Sequence, residues 1–172
     1  MSNPTTVPQS IQDQVIERIK TLPQQLERGR RDGEWTIALK RRLGDLGKEN
    51  GWQVSTAGFQ GEFDGEWLFD LAWFRNTQVY PHHILELGLV LESEWLRDHY
   101  EIKYDFEKLL VAKAPLKVMI FQDNGNEDDK TLPELWAMLE AGIRSFQTGS
   151  EGEKYILAAF REFPHEFEIR VL

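Results

Sequence analysis

Apolar positions along this chain alternate between two spacings, and each change of spacing marks a change of element. Ile11, Val15, Ile16, Ile19 and Leu22 recur at three- and four-residue steps, which predicts a helix over 11–28 with a stop or kink at Pro23. After Gly33, the residues Trp35, Ile37, Leu39, Leu43 and Leu46 predict a second helix over 34–49, stopped by Asn50-Gly51. The period then falls to two. Segments 52–57, 66–75 and 83–95 read as three strands, joined by turns rich in Gly, Asp, Asn and Pro. Helical spacing returns over 99–113 through Ile102, Phe106, Leu109 and Leu110, and Pro115 closes it. Segment 116–121 reads as a buried strand, 132–146 as a helix opened by Thr131 and Pro133, and 154–160 as a strand with which 165–171 is placed to pair. Three strands in a meander, followed by a helical crossover to another strand, predict an α/β chain of mixed (α+β) type, with a mixed central sheet flanked by helices. One domain over 11–172 follows a loose polar tail over 1–10.

Acids interrupt the strands. The second strand contains Trp67-Leu68-Phe69-Asp70-Leu71-Ala72-Trp73-Phe74, and the third ends in Glu92-Ser93-Glu94. Alternation places Leu85, Leu87, Leu89 and Leu91 on one face and Glu86, Gly88, Val90, Glu92 and Glu94 on the other, with Asp70 able to join the acidic side. Small neighbours, Gly88 and Ala72, would leave room there for a metal and a substrate. Three carboxylates on one patch repel unless a cation, a basic side chain or a proton compensates. That requirement makes the cluster the candidate functional site.

Composition narrows the choices. With 41% hydrophobic and 12% aromatic residues, 172 residues can bury a substantial core. The absence of cysteine excludes disulfides and thiolate metal sites, in keeping with a cytoplasmic setting. Neither a signal-peptide pattern at the N-terminus nor an apolar run long enough to span a membrane is present, so no membrane role is expected. A net charge of −9 argues against a protein that coats nucleic acid non-specifically. Positions 28–48 nevertheless carry seven basic residues against three acids, +4 locally and −13 for the remainder. Arg30, Arg31, Lys40, Arg41 and Arg42 in that segment are candidate phosphate contacts; a solvated helix face is the commoner reading of such a run.

The order αβββαβ, an Asp on the second strand, and Glu-X-(Lys or Glu) at the end of the third resemble the PD-(D/E)XK nuclease superfamily over roughly 34–121. The resemblance implies a restriction-endonuclease-like fold. It implies that Asp70 and Glu92 bind a divalent cation, Mg²⁺ or Mn²⁺, and that Glu94 stands at the lysine position, as in a Glu-Ser-Glu variant of the motif. It further implies a DNA or RNA substrate hydrolysed at a phosphodiester, with Glu94 as base. The motif's lysine is missing from its usual place, and no Pro precedes Asp70. Where relatives take that lysine from the following helix, this chain offers Lys108, with Lys113 at the helix end. Lys108 shares a face with Glu101 and Asp105, the pattern of a solvated ion-pair row. Asp45 or Glu49 could add an acidic ligand. The alternative is a catalytically inactive chain of the same fold that binds a protein partner or a second copy of itself as a regulatory module. The acidic run 123–130 has its glycine, Gly125, at the third rather than the sixth position of a calcium loop, and His82-His83 diverge on extended backbone. Tryptophans fall mostly on predicted elements, as core residues do.

Overall fold

The computed structural model describes residues 9–26, 28–29, 31–123 and 131–172. Positions 1–8 of the expected tail, Arg30, and positions 124–130 of the acidic run lie outside them.

Helix α1 (Ile11–Lys20) begins at Ser10, whose hydroxyl accepts the Asp13 N–H at 3.1 Å. It ends at Lys20, so of the two outcomes the sequence allows the chain takes the stop near Pro23 and not a kinked continuation to 28. Pro23 supports a separate 3-10 turn over Leu22–Gln24, because its fixed φ suits a first helical turn but not a helix interior. Helix α2 (Asp32–Glu49) starts two residues earlier than its apolar spacing predicts, since Glu34 reaches back to the Arg31 N–H at 3.1 Å and caps the first turn. The meander follows as β1 (Gln53–Thr56), β2 (Leu71–Asn76) and β3 (Ile84–Glu94). Then come α3 (His99–Val111), β4 (Leu116–Gln122), α4 (Thr131–Ser145), β5 (Lys154–Arg161) and β6 (Glu166–Val171).

Six strands form one mixed sheet in the order β1-β2-β3-β4-β5-β6. The three-strand meander is antiparallel; α3 and α4 return the chain so that β3, β4 and β5 run parallel, and β6 closes antiparallel on β5. Every residue of β4 is buried, as expected of a parallel strand covered on both faces. On one face Val15 and Ile19 of α1, with Trp35, Leu39, Leu43 and Leu46 of α2, pack on Val54, Trp73, Leu91, Val118 and Phe160. On the other, Ile102, Phe106 and Leu109 of α3, with Leu135 and Trp136 of α4, pack on Ala72, Val90, Met119 and Leu157. Helices α1 and α2 thus form one outer layer, α3 and α4 the other, with the sheet between them. Helix α2 lies close to the sheet because Gly47 leaves space for Trp73; a Cβ there would sit 2.6 Å from Trp73 Nε1, which donates to the Leu43 carbonyl at 3.0 Å.

Simple alternation fails on two strands. Trp73 pairs with Leu89 and Phe74 with Leu87, so Gly88 is an extra residue, and the bulge turns Leu87 to the α3 side while Leu89 stays on the α2 side. Leu85 is exposed. The four leucines therefore do not share a face. Nor does Gly88 leave room beside the acids: Trp52 fills the space at its Cβ position, 2.6 Å away, and Ala72 is fully buried. Strand β2 starts at Leu71 rather than near position 66, because a turn at Leu68 (φ 61°), closed by Phe69 N–H to the Trp67 carbonyl at 2.7 Å, interrupts the extended chain.

A candidate active site at the end of the third strand

Asp70 stands one residue before β2, opposite Glu92 if the Leu71–Leu91 pairing is continued by a step. Thr56 on β1 fixes the backbone there by donating its hydroxyl to the Asp70 carbonyl at 2.8 Å. The Asp70 side chain is held on both oxygens. Its Oδ2 accepts from the Ser93 N–H at 2.8 Å and the Ser93 hydroxyl at 2.7 Å, and its Oδ1 lies 3.1 Å from Lys40 Nζ. Lys40 is 6% exposed and also bonds Glu66 at 3.2 Å. Its burial is tolerable because two carboxylates surround it.

Glu92 sits on the α3 side of the sheet, 2% exposed. Its Oε1 is 2.8 Å from Lys108 Nζ, which also pairs with Asp105 at 3.0 Å. Burial pushes the Glu92 carboxyl up to about 8 despite the Lys108 ammonium, and the nearby Asp70 and Asp105 charges add to the rise. Partial burial works against the Lys108 charge, but Glu92 and Asp105 together hold its pKa above the ordinary lysine value. Glu94 is half-buried and also raised, chiefly by burial, with Asp105 and Glu101 contributing. Its Oε1 accepts the Leu96 N–H at 2.6 Å, so it holds the chain where β3 turns toward α3.

Glu92 and Lys108 are thus brought together, with the Asp70 charge near enough to act on Glu92, and the Lys108–Asp105 pair expected from helical spacing forms as well. The basic stretch, by contrast, does not assemble into one outward face. Arg31 is exposed at the start of α2, Lys40 turns inward to Asp70, Arg41 pairs with Glu62 and stacks over Phe59, and Arg42 bonds Thr21 at 2.7 Å and Gln25 at 2.9 Å. Glu49 pairs with Arg18 on the other side of α2. Parity reasoning overlooked the pairing of Asp70 with Lys40 and Ser93. The signal was present: Lys40, Leu43, Gly44 and Gly47 lie at helical spacing on the face of α2 that meets the sheet.

Among the described residues, no group of three or more His, Cys, Asp or Glu side chains is arranged to hold a metal ion, and none of their helices is long and apolar enough to cross a membrane. No protein-family model matches the chain, and neither the curated proteins nor the solved structures give a match.

Proposed function

We propose that this chain is a nuclease of the PD-(D/E)XK type with a restriction-endonuclease-like core, hydrolysing phosphodiesters in DNA or RNA with a divalent cation. The observation that carries the reading is the pair of Glu92 with a lysine, Lys108, that reaches it from the next helix, beside an Asp70 whose charge acts on the Glu92 carboxyl. An acid, an acid and a lysine at the end of the third strand restore the trio that the Glu-Ser-Glu sequence lacks. The donor set fits Mg²⁺ or Mn²⁺ in chemistry and number, because Mg²⁺ takes one or two carboxylates and completes its shell with water and substrate phosphate. Glu92 has a further reason to accept a cation: its buried carboxyl is held near neutrality for want of enough positive charge.

Asp70 and Glu92 would hold the cation, which supplies charge neutralisation at the phosphate and a lowered pKa for attacking water. The side chains around them have separate tasks. Ser93 fixes Oδ2 of Asp70, and Lys40 neutralises Oδ1 until a cation competes for it. Lys108 keeps an ammonium beside Glu92, where it can stabilise negative charge on a phosphoryl oxygen. Glu94, with a raised pKa, is the candidate proton acceptor.

Cleavage of DNA and RNA with Mg²⁺ or Mn²⁺ by the wild type, lost in Asp70→Ala, Glu92→Ala and Lys108→Met, is the expected result. Inactivity of the wild type on every substrate, or activity surviving all three substitutions, sinks the proposal. A second reading, an inactive chain of the same fold that binds a protein partner, is favoured by one observation. The basic side chains of α2 are engaged within the chain, through Lys40 to Asp70, Arg41 to Glu62 and Arg42 to Thr21, rather than offered to a phosphate backbone. It predicts no cleavage and equal melting shifts with Mg²⁺ in the wild type and Asp70→Ala.

A further inference from the structure

Strand β6 ends the sheet, and among the described residues no strand pairs with its outer edge. Tyr155 and Leu172 exchange both backbone hydrogen bonds, at 2.9 and 3.0 Å, and the register with β5 then runs without a break to Arg161–Glu166. Hydrogen-bonded and non-hydrogen-bonded pairs alternate in an antiparallel ladder, so Glu166, Glu168 and Arg170 direct their backbone groups to β5. Those of Phe167, Ile169 and Val171 point outward. An edge of this kind is a template for another strand.

We infer that the partner of this edge is β6 of a second copy of the chain, in antiparallel register about a two-fold axis at Ile169. The register follows from two conditions. Outward-facing residues must meet outward-facing residues, which places the axis at Ile169 or at a residue one or two steps to either side. Charge then selects among them. Centred on Ile169, Glu168 of each copy stands opposite Arg170 of the other, twice by symmetry, as non-hydrogen-bonded pairs with Cα atoms about 4.5 Å apart. Shifting the centre by one residue sets Glu168 against Glu168 on one side, or Arg170 against Arg170 on the other, and like charges directly opposite are unfavourable. Both side chains are 41% exposed; within the chain Arg170 pairs with Glu140 at 2.8 Å and Glu168 accepts from Trp136 Nε1 at 3.1 Å, so the cross-copy pairs would share with these contacts. On the other face of the strand, Phe167 meets Val171, whose exposed side chain the partner would cover. A self-complementary patch that closes under a two-fold axis is the requirement for a dimer rather than a filament. The edge is at the opposite side of the sheet from β1 and β2, and the inference does not depend on the metal site.

The test uses sedimentation of the whole chain. The wild type should show a concentration-dependent monomer–dimer equilibrium. Glu168→Arg places arginines at both positions and Arg170→Glu places glutamates at both, so each alone should weaken dimerisation by about tenfold or more. Mixed together, the two variants restore both opposite-charge pairs and should form a heterodimer. A wild type that stays monomeric up to about 0.5 mM, or single variants that dimerise as tightly as the wild type, overturns the inference. Hydrogen exchange of the wild type provides a second readout needing no substitution: the Phe167, Ile169 and Val171 amides should be protected at high concentration and exchange rapidly on dilution. Rapid exchange at every concentration would equally overturn it.

Discussion

Replacing Glu92 by glutamine should abolish a pH dependence of stability that the wild type carries. Burial raises the Glu92 carboxyl from 4.5 to about 8 in the folded chain. Between those values the folded protein keeps a proton that the unfolded chain has released, so stability falls as pH rises through the window. Below it both states are protonated and nothing is lost; above it the full cost is paid by an ionised group buried at 2% exposure. At about 1.4 kcal/mol per unit, the difference sets a ceiling of about 5 kcal/mol. Lys108, 37% exposed, can follow the charge as it forms, and the experiment should find part of that ceiling. Glutamine keeps the shape and cannot ionise. Urea denaturation in the presence of a chelator, from pH 5 to pH 9, should therefore show the wild type losing more than about 1 kcal/mol while Glu92→Gln stays flat on this account. Added Mg²⁺ should restore wild-type stability at the alkaline end, because a cation favours the ionised carboxyl, and should leave the variant unchanged. Parallel pH profiles for the two proteins would refute the assignment of a neutral, buried Glu92.

Other substitutions report on the surrounding architecture. Gly47→Ala should cost about 1–3 kcal/mol, since the new methyl meets the Trp73 ring at 2.6 Å; an unchanged melting temperature would show that α2 is not held this close to the sheet. Lys117, fully buried, bonds Glu153 at 2.7 Å and the Tyr155 hydroxyl at 3.0 Å, so Lys117→Met should cost about 3 kcal/mol in chemical denaturation, and a neutral result would refute the pairing. Burial opposes ionisation of Glu153, but Lys117 prevails and holds its pKa below the ordinary carboxylate value; that stability is present above the ordinary range and is lost as pH falls, opposite in sign to Glu92. Glu94→Gln retains an acceptor for the Leu96 N–H, whereas Glu94→Ala loses it at about 1 kcal/mol. If Glu94 is also the catalytic base, Gln should keep stability and lose cleavage; cleavage unaffected by Gln would confine Glu94 to its turn.

The layered fold was legible in the sequence because its signals are local and repeated. Helical spacing in 11–22 and 35–46, the meander of three strands, and the run at 116–121, apolar but for Lys117, each specify an element and its buried side. What escaped was set by single residues whose effect depends on a neighbour distant in sequence. Gly88 reads as a small residue leaving space, but Trp52 occupies that space, the bulge there turns Leu87 to the other side, and a second register shift follows between Arg75 and Asn76. Leu68 reads as an ordinary strand residue, yet its φ of 61° breaks the extended chain and delays β2 until after Asp70. Lys108 illustrates a third limit. Helical periodicity gives its direction around α3 correctly, and the Asp105 pair follows from it, but a long side chain at the margin of a face can satisfy two partners, one of them on the facing strand β3.

The charge conflict at the carboxylates is thereby resolved from both sides of the sheet. Asp70 is answered by Lys40 from α2, Glu92 by Lys108 from α3 and by a proton, so the two acids that repel one another are compensated by cations belonging to opposite layers. Lys40 is kept from water by the packing that also orders α2, whereas Lys108 stays 37% exposed. An acid pair maintained only for stability would be replaceable by apolar residues with little loss, because buried ion pairs rarely outperform well-packed hydrophobic side chains. Keeping two acids at one sheet end therefore costs more than a structural purpose requires. The proposed exchange of ammonium compensation for a divalent cation would give that cost a function, since the same desolvation that raises Glu92 strengthens its attraction for an incoming charge.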